Sequence, residues 1–365
     1  MECTVLIPTY NRPNHLKRIL SYYNQYGNDL PIVIADSSSE ANKKLNRETV
    51  SSFHNTCFSY LDKYDPSINP VHKILDALQQ VSTKYCVPCA DDDFVTPVGI
   101  QEAIDFLENT PDYSAAYGNH VTFQLDPVAG GEPKIRLKKY KSQSNVHDES
   151  KERLIYEVAN NYNTSFYAVN RTDFRKMVFT EAAKISSDLH IADSLRLTSD
   201  ALFAELVIVW LPAIYGKMKC LDTLFCARED CTPAHLRRTY VTLHDLTVER
   251  IYRDKRQECL DCLASHLSAQ SGISILEANQ IVDKAISIFE KKSDPFMQKF
   301  GRIMTDLNLP DWLDHGVRKL YRFTASGFLS REGSDYAVNS KEFNECNQIR
   351  LCVLSNAIRV YGLNP

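Results

Sequence analysis

The sequence has few glycines, 12 in 365 residues, and the first of them, Gly27, comes after the first predicted strand and helix. A glycine-rich loop directly after the first strand is typical of dinucleotide-binding sites, and a related motif marks P-loop NTPases. Neither motif occurs, which argues against both classes. Sugar nucleotidyltransferases also usually carry a glycine-rich loop after the first strand. Because this chain lacks that loop, we keep sugar nucleotidyltransferase only as an alternative function.

The sequence also lacks a strong net charge and a long apolar run. Its formal charge of −4 comes from 42 basic and 46 acidic residues. A nucleic-acid-binding protein needs a basic surface, so we expect no nucleic-acid partner. No run reaches the ~20 apolar residues of a membrane span, and the longest, near 201–210, contains Glu205.

The first residues show no signal-peptide pattern, since Met1 to Ile7 has neither a basic stretch nor a long apolar region. We therefore expect a cytoplasmic protein. Trp312, Arg318 and Tyr321 are aromatic and basic residues that could contact a membrane surface, so association with its inner face stays open.

Eleven cysteines are scattered along the chain, without the dense pattern of a disulfide scaffold. Two Cys-x-x-Cys pairs, Cys86 with Cys89 and Cys259 with Cys262, suggest a zinc site. The first pair lies in a predicted buried strand and the second on a predicted helix. Buried free thiols are the interpretation we prefer.

Strand and helix patterns alternate through the first half of the chain. Short β-branched runs predict strands, and apolar residues spaced three and four apart predict helices. The strands are expected at 4–7, 32–35, 57–60, 85–87, 115–123 and 166–169, and helices are expected to follow Pro13, Pro70 and Pro97. A polar loop with basic residues up to Lys141 and a hairpin near 217–226 are expected as well. Such alternation predicts an α/β fold with a mostly parallel sheet flanked by helices.

Polar and charged residues follow three of these strands. They are Pro8 to Arg12, Asp36 to Ser39, and Asp91 to Asp93. Ligands of open α/β sheets bind beyond the carboxyl ends of the strands. We therefore expect these three segments to converge on one ligand site.

Asp91, Asp92 and Asp93 are three adjacent carboxylates, and their mutual repulsion favours a counter-charge. A hard divalent cation supplies that charge and prefers oxygen ligands. The alternative is a solvated acidic turn before the next helix. Asp36 could accept hydrogen bonds from a nucleoside, or it could simply end its strand as a turn residue.

Residues 4–13, Thr-Val-Leu-Ile-Pro-Thr-Tyr-Asn-Arg-Pro, followed by an amphipathic helix, resemble the opening of family 2 glycosyltransferases. Asp91 and Asp93 match the Asp-x-Asp element of that family. The resemblance covers roughly residues 3 to 230. It implies a GT-A fold, a nucleotide-diphosphate sugar donor, a glycan or glycolipid acceptor, Mn²⁺ or Mg²⁺, and inversion at the anomeric carbon. Synthesis of a surface polysaccharide or glycoconjugate is the expected role.

The resemblance also implies a set of nucleotide-binding residues. They are Pro8, Thr9, Tyr10, Arg12, Asp36, Lys73, Asp91 and Asp92, with Asp91 and Asp93 as metal ligands. Lys73 lies in the helix that often sends a polar side chain to the nucleotide in the family. An exposed helix lysine is the competing interpretation for that position.

Inversion requires a general base for the acceptor hydroxyl, and the resemblance implies Asp200, in Thr-Ser-Asp-Ala-Leu. The family more often has Glu-Asp where this chain has Ser199-Asp200. Glu205 and Asp188 are alternatives, and an aspartate in a first helical turn is favoured by the helix dipole alone. His235 is a candidate third metal ligand.

We expect two regions, a catalytic GT-A domain at 1–235 and a mostly helical C-terminal region at 236–365. The second region could hold the acceptor, form a homo-oligomer or contact another enzyme. Besides the sugar nucleotidyltransferase, a catalytically inactive GT-A-like binding or scaffold subunit remains an alternative.

Overall fold

A computed structural model describes residues 1–27, 29–53, 57–126, 134–140, 142–160, 165–186, 194–229, 250–293 and 343–355. Within these ranges, no helix combines the length and the hydropathy needed to cross a membrane.

Strands and helices alternate through the first 110 residues, as the sequence predicts. They are β1 (Cys3–Thr9), α1 (Pro13–Tyr26), β2 (Ile32–Asp36), α2 (Glu40–Ser51), β3 (Phe58–Leu61), α3 (Pro70–Leu78), β4 (Tyr85–Pro88), β5 (Phe94–Val95) and α4 (Pro97–Asn109). Proline opens α1, α3 and α4, where its missing N–H costs no helical hydrogen bond.

The remaining described elements are longer and more helical. They are β6 (Tyr113–Asp126), β7 (Lys134–Tyr140), α5 (Ser150–Asn160), a 3₁₀ turn (Ser165–Tyr167), β8 (Val169–Arg171), α6 (Thr172–Ile185), α7 (Ser194–Tyr215), β9 (Lys217–Glu229), α8 (Arg250–Ser271), α9 (Ile275–Ser293) and α10 (Phe343–Ser355). The last three confirm a helical C-terminal region. The predicted boundary at 235 falls outside the described residues and stays a prediction.

The structure corrects three local predictions. The strand expected at 166–169 begins only at Val169, because a 3₁₀ turn occupies 165–167. The basic segment before Lys141, expected as a loop, contains β7, which pairs with β6. The hairpin expected at 217–226 is one strand, β9, whose pairing register shifts opposite residues 117–119 of β6. The sequence pattern that predicts a turn here therefore corresponds to an irregularity within a single strand.

The described strands form one nine-stranded sheet. Its order is β3-β2-β1-β4-β8-β6-β9-β5, with β7 paired to β6. Strands β1, β2, β3 and β4 are mutually parallel. Strand β8 is antiparallel to both β4 and β6, so β6 runs in the same direction as β4. Strand β9 is parallel to β6. The sheet is therefore mostly parallel, as predicted, with β5, β7 and β8 running the other way.

Helices cover both faces of the sheet. Side chains alternate between the two faces along a strand, and in β1 Val5 and Ile7 join one buried cluster while Leu6 joins the other. The first cluster includes residues of α1, α4 and α10. The second includes residues of α3, α5, α6, α7, α8 and α9. The helices after residue 250 therefore share apolar cores with the sheet.

Candidate functional site

The carboxyl ends of β2, β1 and β4 lie side by side, because β1 pairs with β2 on one edge and with β4 on the other. The order of the strands along the chain reverses between β1 and β4, and such a switch point opens a crevice for ligands. The predicted segments 8–12, 36–39 and 91–93 meet there, as the hydrogen bonds between them show.

Asp91 is buried at the end of β4 and linked to the end of β1. The Thr9 hydroxyl donates to its Oδ2 at 2.6 Å, and the Arg12 guanidinium lies 3.2 Å from its Oδ1. Burial raises the pKa of Asp91, the neighbouring Asp92 raises it further, and Arg12 opposes both effects. An added positive charge nearby would stabilise the ionised form of such a buried carboxylate.

Asp92 is the more exposed neighbour of Asp91. Its Oδ2 lies 2.5 Å from the Arg12 guanidinium, so one arginine bridges two adjacent carboxylates. The main-chain carbonyl of Asp92 accepts a 2.7 Å hydrogen bond from Arg18. The Arg12 side chain itself is 41% exposed and stands at the mouth of the crevice.

Asp93 is buried and held by the far side of the site. Tyr167 donates its hydroxyl proton to Oδ2, and the Glu229 amide donates to Oδ1 at 2.9 Å. The Arg228 guanidinium lies 3.5 Å from Oδ2. Burial raises the pKa of Asp93, as does Asp92, while Arg228 lowers it. The 3₁₀ turn and the end of β9 thus position this carboxylate.

Arg18 is a part of the site that sequence reasoning missed. It is fully buried, forms a 2.6 Å ion pair with Glu229, and lies over the rings of Phe94 and Phe123. The only signal in the sequence is a basic residue next to the apolar face of the first helix. Nothing in that pattern indicates a partner 211 positions away.

Asp36 lies at the end of β2, as predicted, and is fully buried. Its carboxylate accepts hydrogen bonds from the Ser38 amide at 2.7 Å, the Asn46 side chain at 2.7 Å and the Tyr60 hydroxyl at 2.6 Å. These bonds hold the loop after β2. A contact with a nucleoside would have to share these oxygens, and that role stays a prediction.

Lys73 of α3 joins the ends of β1 and β2. Its ammonium group donates to the Thr9 carbonyl at 3.0 Å and to the Ser37 hydroxyl at 2.8 Å. Burial lowers the pKa of Lys73 to about 8, while Asp36 and Asp91 raise it. The interpretation as an exposed helix lysine is therefore wrong. Its role toward a nucleotide stays a prediction.

The turn between β1 and α1 depends on Asn11, whose φ of 55° lies in the left-handed region. Asparagine tolerates this conformation better than most residues do. Its side-chain oxygen accepts from Ser39 and Asn42, and its amide donates to Ser38. Beside it, Tyr10 is 51% exposed and is free to meet a ligand, while Pro8 remains inside β1, next to Ala35.

Most candidates for the base and the third metal ligand lie outside the described residues. The backbone of Asp200 lies in the first part of α7, and its side chain is outside the described residues. His235 and Asp188 lie outside them as well. Glu205 is half-buried in the same helix.

A divalent cation fits the donors at the end of β4. Asp91, Asp92 and Asp93 offer carboxylate oxygens, the ligands that Mg²⁺ and Mn²⁺ prefer. Two of these carboxylates are buried with raised pKa values, so a cation would relieve the cost of their ionisation. Arg12 and Arg228 already contribute positive charge there.

The comparison with known protein families finds a match in the first half of the chain. Residues 4–177 match the family described as Glycosyl transferase family 2. The matched range contains β1 to β4 with the segments 8–12, 36–39 and 91–93, and it extends into α6. The comparison with curated proteins finds no match.

Several solved structures are similar to this chain. TarS 1–349 of S. aureus in complex with UDP-GlcNAc has 16% identity and a TM-score of 0.49, covering 81% of this chain and 75% of that one. A mannosyltransferase, PcManGT from Pyrobaculum calidifontis, in complex with GDP-Man and Mn²⁺, has 9% identity and a TM-score of 0.42, covering 100% and 88%. CMP:2-keto-3-deoxy-manno-octonic acid synthetase complexed with CTP has 8% identity and a TM-score of 0.34, covering 64% and 92%.

Proposed function

We propose, from the match of residues 4–177 to Glycosyl transferase family 2, that this chain transfers a sugar from a nucleotide-diphosphate sugar to an acceptor hydroxyl, with inversion and with a divalent cation. The observation that carries the proposal is the arrangement of Asp91, Asp92 and Asp93 at the switch point of the sheet, between Arg12 and Arg228. A metal-bound diphosphate carries a cation that carboxylates can bind and phosphate oxygens that arginines can bind, so this crevice suits it.

The cation would be held by Asp91 and Asp93, with Asp92 beside them and His235 as a further candidate. When bound, Mn²⁺ or Mg²⁺ offsets the negative charge of the diphosphate as it departs. Arg12 has a half-exposed guanidinium at the crevice mouth, and its planar fork suits phosphate oxygens. Tyr10 is exposed beside it and is suited to stack on the nucleoside.

The transfer is proposed as a single displacement. Asp200 would take the proton of the acceptor hydroxyl while the hydroxyl oxygen attacks the anomeric carbon. The bond from that carbon to the diphosphate breaks in the same step, and the nucleoside diphosphate leaves. Attack from the face opposite the leaving group inverts the configuration. Asp188 and Glu205 are the alternative bases.

The donor and acceptor are proposed by class. UDP-GlcNAc and GDP-Man, which TarS and PcManGT bind in the structures above, are the first donors to test. The proposed acceptor is a glycan or glycolipid hydroxyl, in the synthesis of a surface polysaccharide or glycoconjugate. A cytoplasmic location and contact with the inner face of a membrane would suit that role and belong to the same proposal.

The first test is thermal unfolding with nucleoside diphosphates and their sugars, with and without Mn²⁺. A ligand at a hundredfold excess over its dissociation constant stabilises the folded state by about 2.7 kcal/mol. We expect one nucleotide to raise the melting temperature only when Mn²⁺ is present. Asp93→Asn should abolish that shift, because it removes a charged metal ligand at nearly constant volume.

The control is Asp105→Asn, which changes an exposed aspartate of α4 and should leave the shift intact. If folded wild-type protein shows no shift with any nucleotide, the donor site is wrong and the scaffold alternative takes its place. A shift without sugar transfer to any acceptor would favour a binding subunit. Release of pyrophosphate from a nucleoside triphosphate and a sugar phosphate would favour the nucleotidyltransferase.

A further inference from the structure

A second group of metal-ligating side chains lies away from the crevice, between α6 and α8. Glu181 comes from α6, and Cys262 and His266 lie one turn apart on α8. One ligand atom from each of the three lies within 4.8 Å of the others. The sequence pattern had paired Cys262 with Cys259, but Cys259 is a buried free thiol, and the structure gives Cys262 different neighbours.

We propose that Glu181, Cys262 and His266 bind Zn²⁺. The donor atoms are a carboxylate oxygen, a thiolate sulfur and an imidazole nitrogen, which is a mixed set that zinc accepts and that Mg²⁺ and Ca²⁺ do not favour. With three protein ligands, a tetrahedral ion keeps one position for water or another small ligand.

The distances suit this ion after a small contraction. Glu181 Oε2 lies 3.9 Å from Cys262 Sγ and 3.6 Å from His266 Nε2. Ligand atoms around a tetrahedral zinc are separated by roughly 3.3–3.6 Å, from zinc bonds of about 2.0 to 2.3 Å. These two separations need to shorten by only a few tenths of an ångström, and the third, between Cys262 and His266, is below 4.8 Å.

The surrounding hydrogen bonds leave the proposed ligand atoms facing one another. His266 Nδ1 lies 2.7 Å from the Tyr215 hydroxyl. With that nitrogen protonated and donating to Tyr215, Nε2 presents a lone pair toward Glu181, as in many metal-binding histidines. Lys184 binds the other carboxylate oxygen, Oε1, at 2.6 Å, so Oε2 remains directed at Cys262 and His266.

A zinc ion bound by this cluster would link two parts of the fold. Glu181 belongs to the helix that follows β8, within the sheet-bearing part of the chain, and the other two ligands belong to α8 in the C-terminal region. Zinc would therefore join these two parts. The side chains of Glu181 and His266 are 16% and 20% exposed, so an ion can reach them from solvent.

The test is Co²⁺ and Zn²⁺ binding to the full chain. Cobalt in a tetrahedral thiolate site gives a sulfur-to-metal charge-transfer band and intense visible bands, whereas the oxygen donors of Asp91 to Asp93 give no such charge-transfer band. We expect one equivalent of Co²⁺ to produce both signals and Zn²⁺ to displace it. The melting temperature should also rise with Zn²⁺.

Matched cysteine variants assign the signal. Cys262→Ser should abolish the charge-transfer band and the thermal shift, and His266→Gln should weaken Co²⁺ binding at least tenfold. Cys57→Ser removes another partly buried thiol, far from this cluster in the sequence, and should change neither. The proposal fails if wild-type protein gives no thiolate band, or if the band persists unchanged in Cys262→Ser. Circular dichroism confirms that each variant is folded.

Discussion

At the scale of single residues, the site depends on a buried ion pair beneath the carboxylates. Arg18 is fully buried and contacts both the Asp92 carbonyl and the Glu229 carboxylate. The Glu229 amide in turn donates to Asp93. The pair therefore sets the position of the acidic segment without being exposed to a ligand.

Replacing Arg18 should reveal this dependence. Arg18→Met keeps much of the apolar stem and removes the charge opposite Glu229, and loss of one member of a buried pair costs about 3–5 kcal/mol. We expect urea unfolding to show a loss of this size. Adding Glu229→Gln should recover part of it, because the uncompensated charge is then gone. Equal stability of Arg18→Met and wild type would show that the pair contributes nothing.

At the scale of elements, the sequence predicted the first half well because its signals are local. Prolines at helix starts, β-branched runs and the Thr96 cap, which accepts from the Gly99 amide, each act within a few residues. The convergence of the three strand ends was also predictable from the sequence, because the carboxyl ends of parallel strands lie at the same edge of a sheet. Arg18 with Glu229, and Tyr167 with Asp93, depend on contacts across 74 or more positions that no local pattern encodes.

Strand β6 carries a buried histidine that should make stability depend on pH. The pKa of His120 is lowered from 6.5 to about 4, chiefly by burial, with a hydrogen-bonding contact to the Gly118 carbonyl raising it and Arg228 lowering it. The unfolded chain therefore binds a proton that the folded chain does not, between these two values. The contribution of His120 to the free energy of unfolding is therefore intact above pH 6.5 and is lost as the pH falls toward 4.

The size of this effect follows from the shift. Between about pH 7 and pH 5 the free energy of unfolding should fall by roughly 2 kcal/mol from His120 alone. His120→Gln should remove that part of the pH dependence, measured by urea unfolding at both pH values, whatever its effect at pH 7. His147→Gln, at a half-buried position on the loop before α5, serves as the control. An unchanged slope in His120→Gln would contradict the assignment.

At the scale of the whole molecule, the two predicted regions share their apolar cores. Trp210 of α7 contacts Phe289 of α9 with ring centroids 5.8 Å apart. Leu263 of α8 and Val282 of α9 belong to the same buried cluster as Leu6 and Val33 of the sheet. Sequence patterning separated the regions by their secondary structure, but it does not say which apolar faces meet.

A chain ending at residue 235 should therefore not fold as an independent domain. It would expose the face of α7 around Trp210, and each large apolar side chain left uncovered costs about 1.5–3 kcal/mol, against a total stability of only about 5–15 kcal/mol. We expect this fragment to lack a cooperative thermal transition, whereas a chain ending at residue 293, which keeps α8 and α9, should retain one. A cooperative transition and Mn²⁺-dependent nucleotide binding in the shorter fragment would establish 1–235 as a self-sufficient domain. In that case the C-terminal helices would contribute to acceptor binding or assembly rather than to the core.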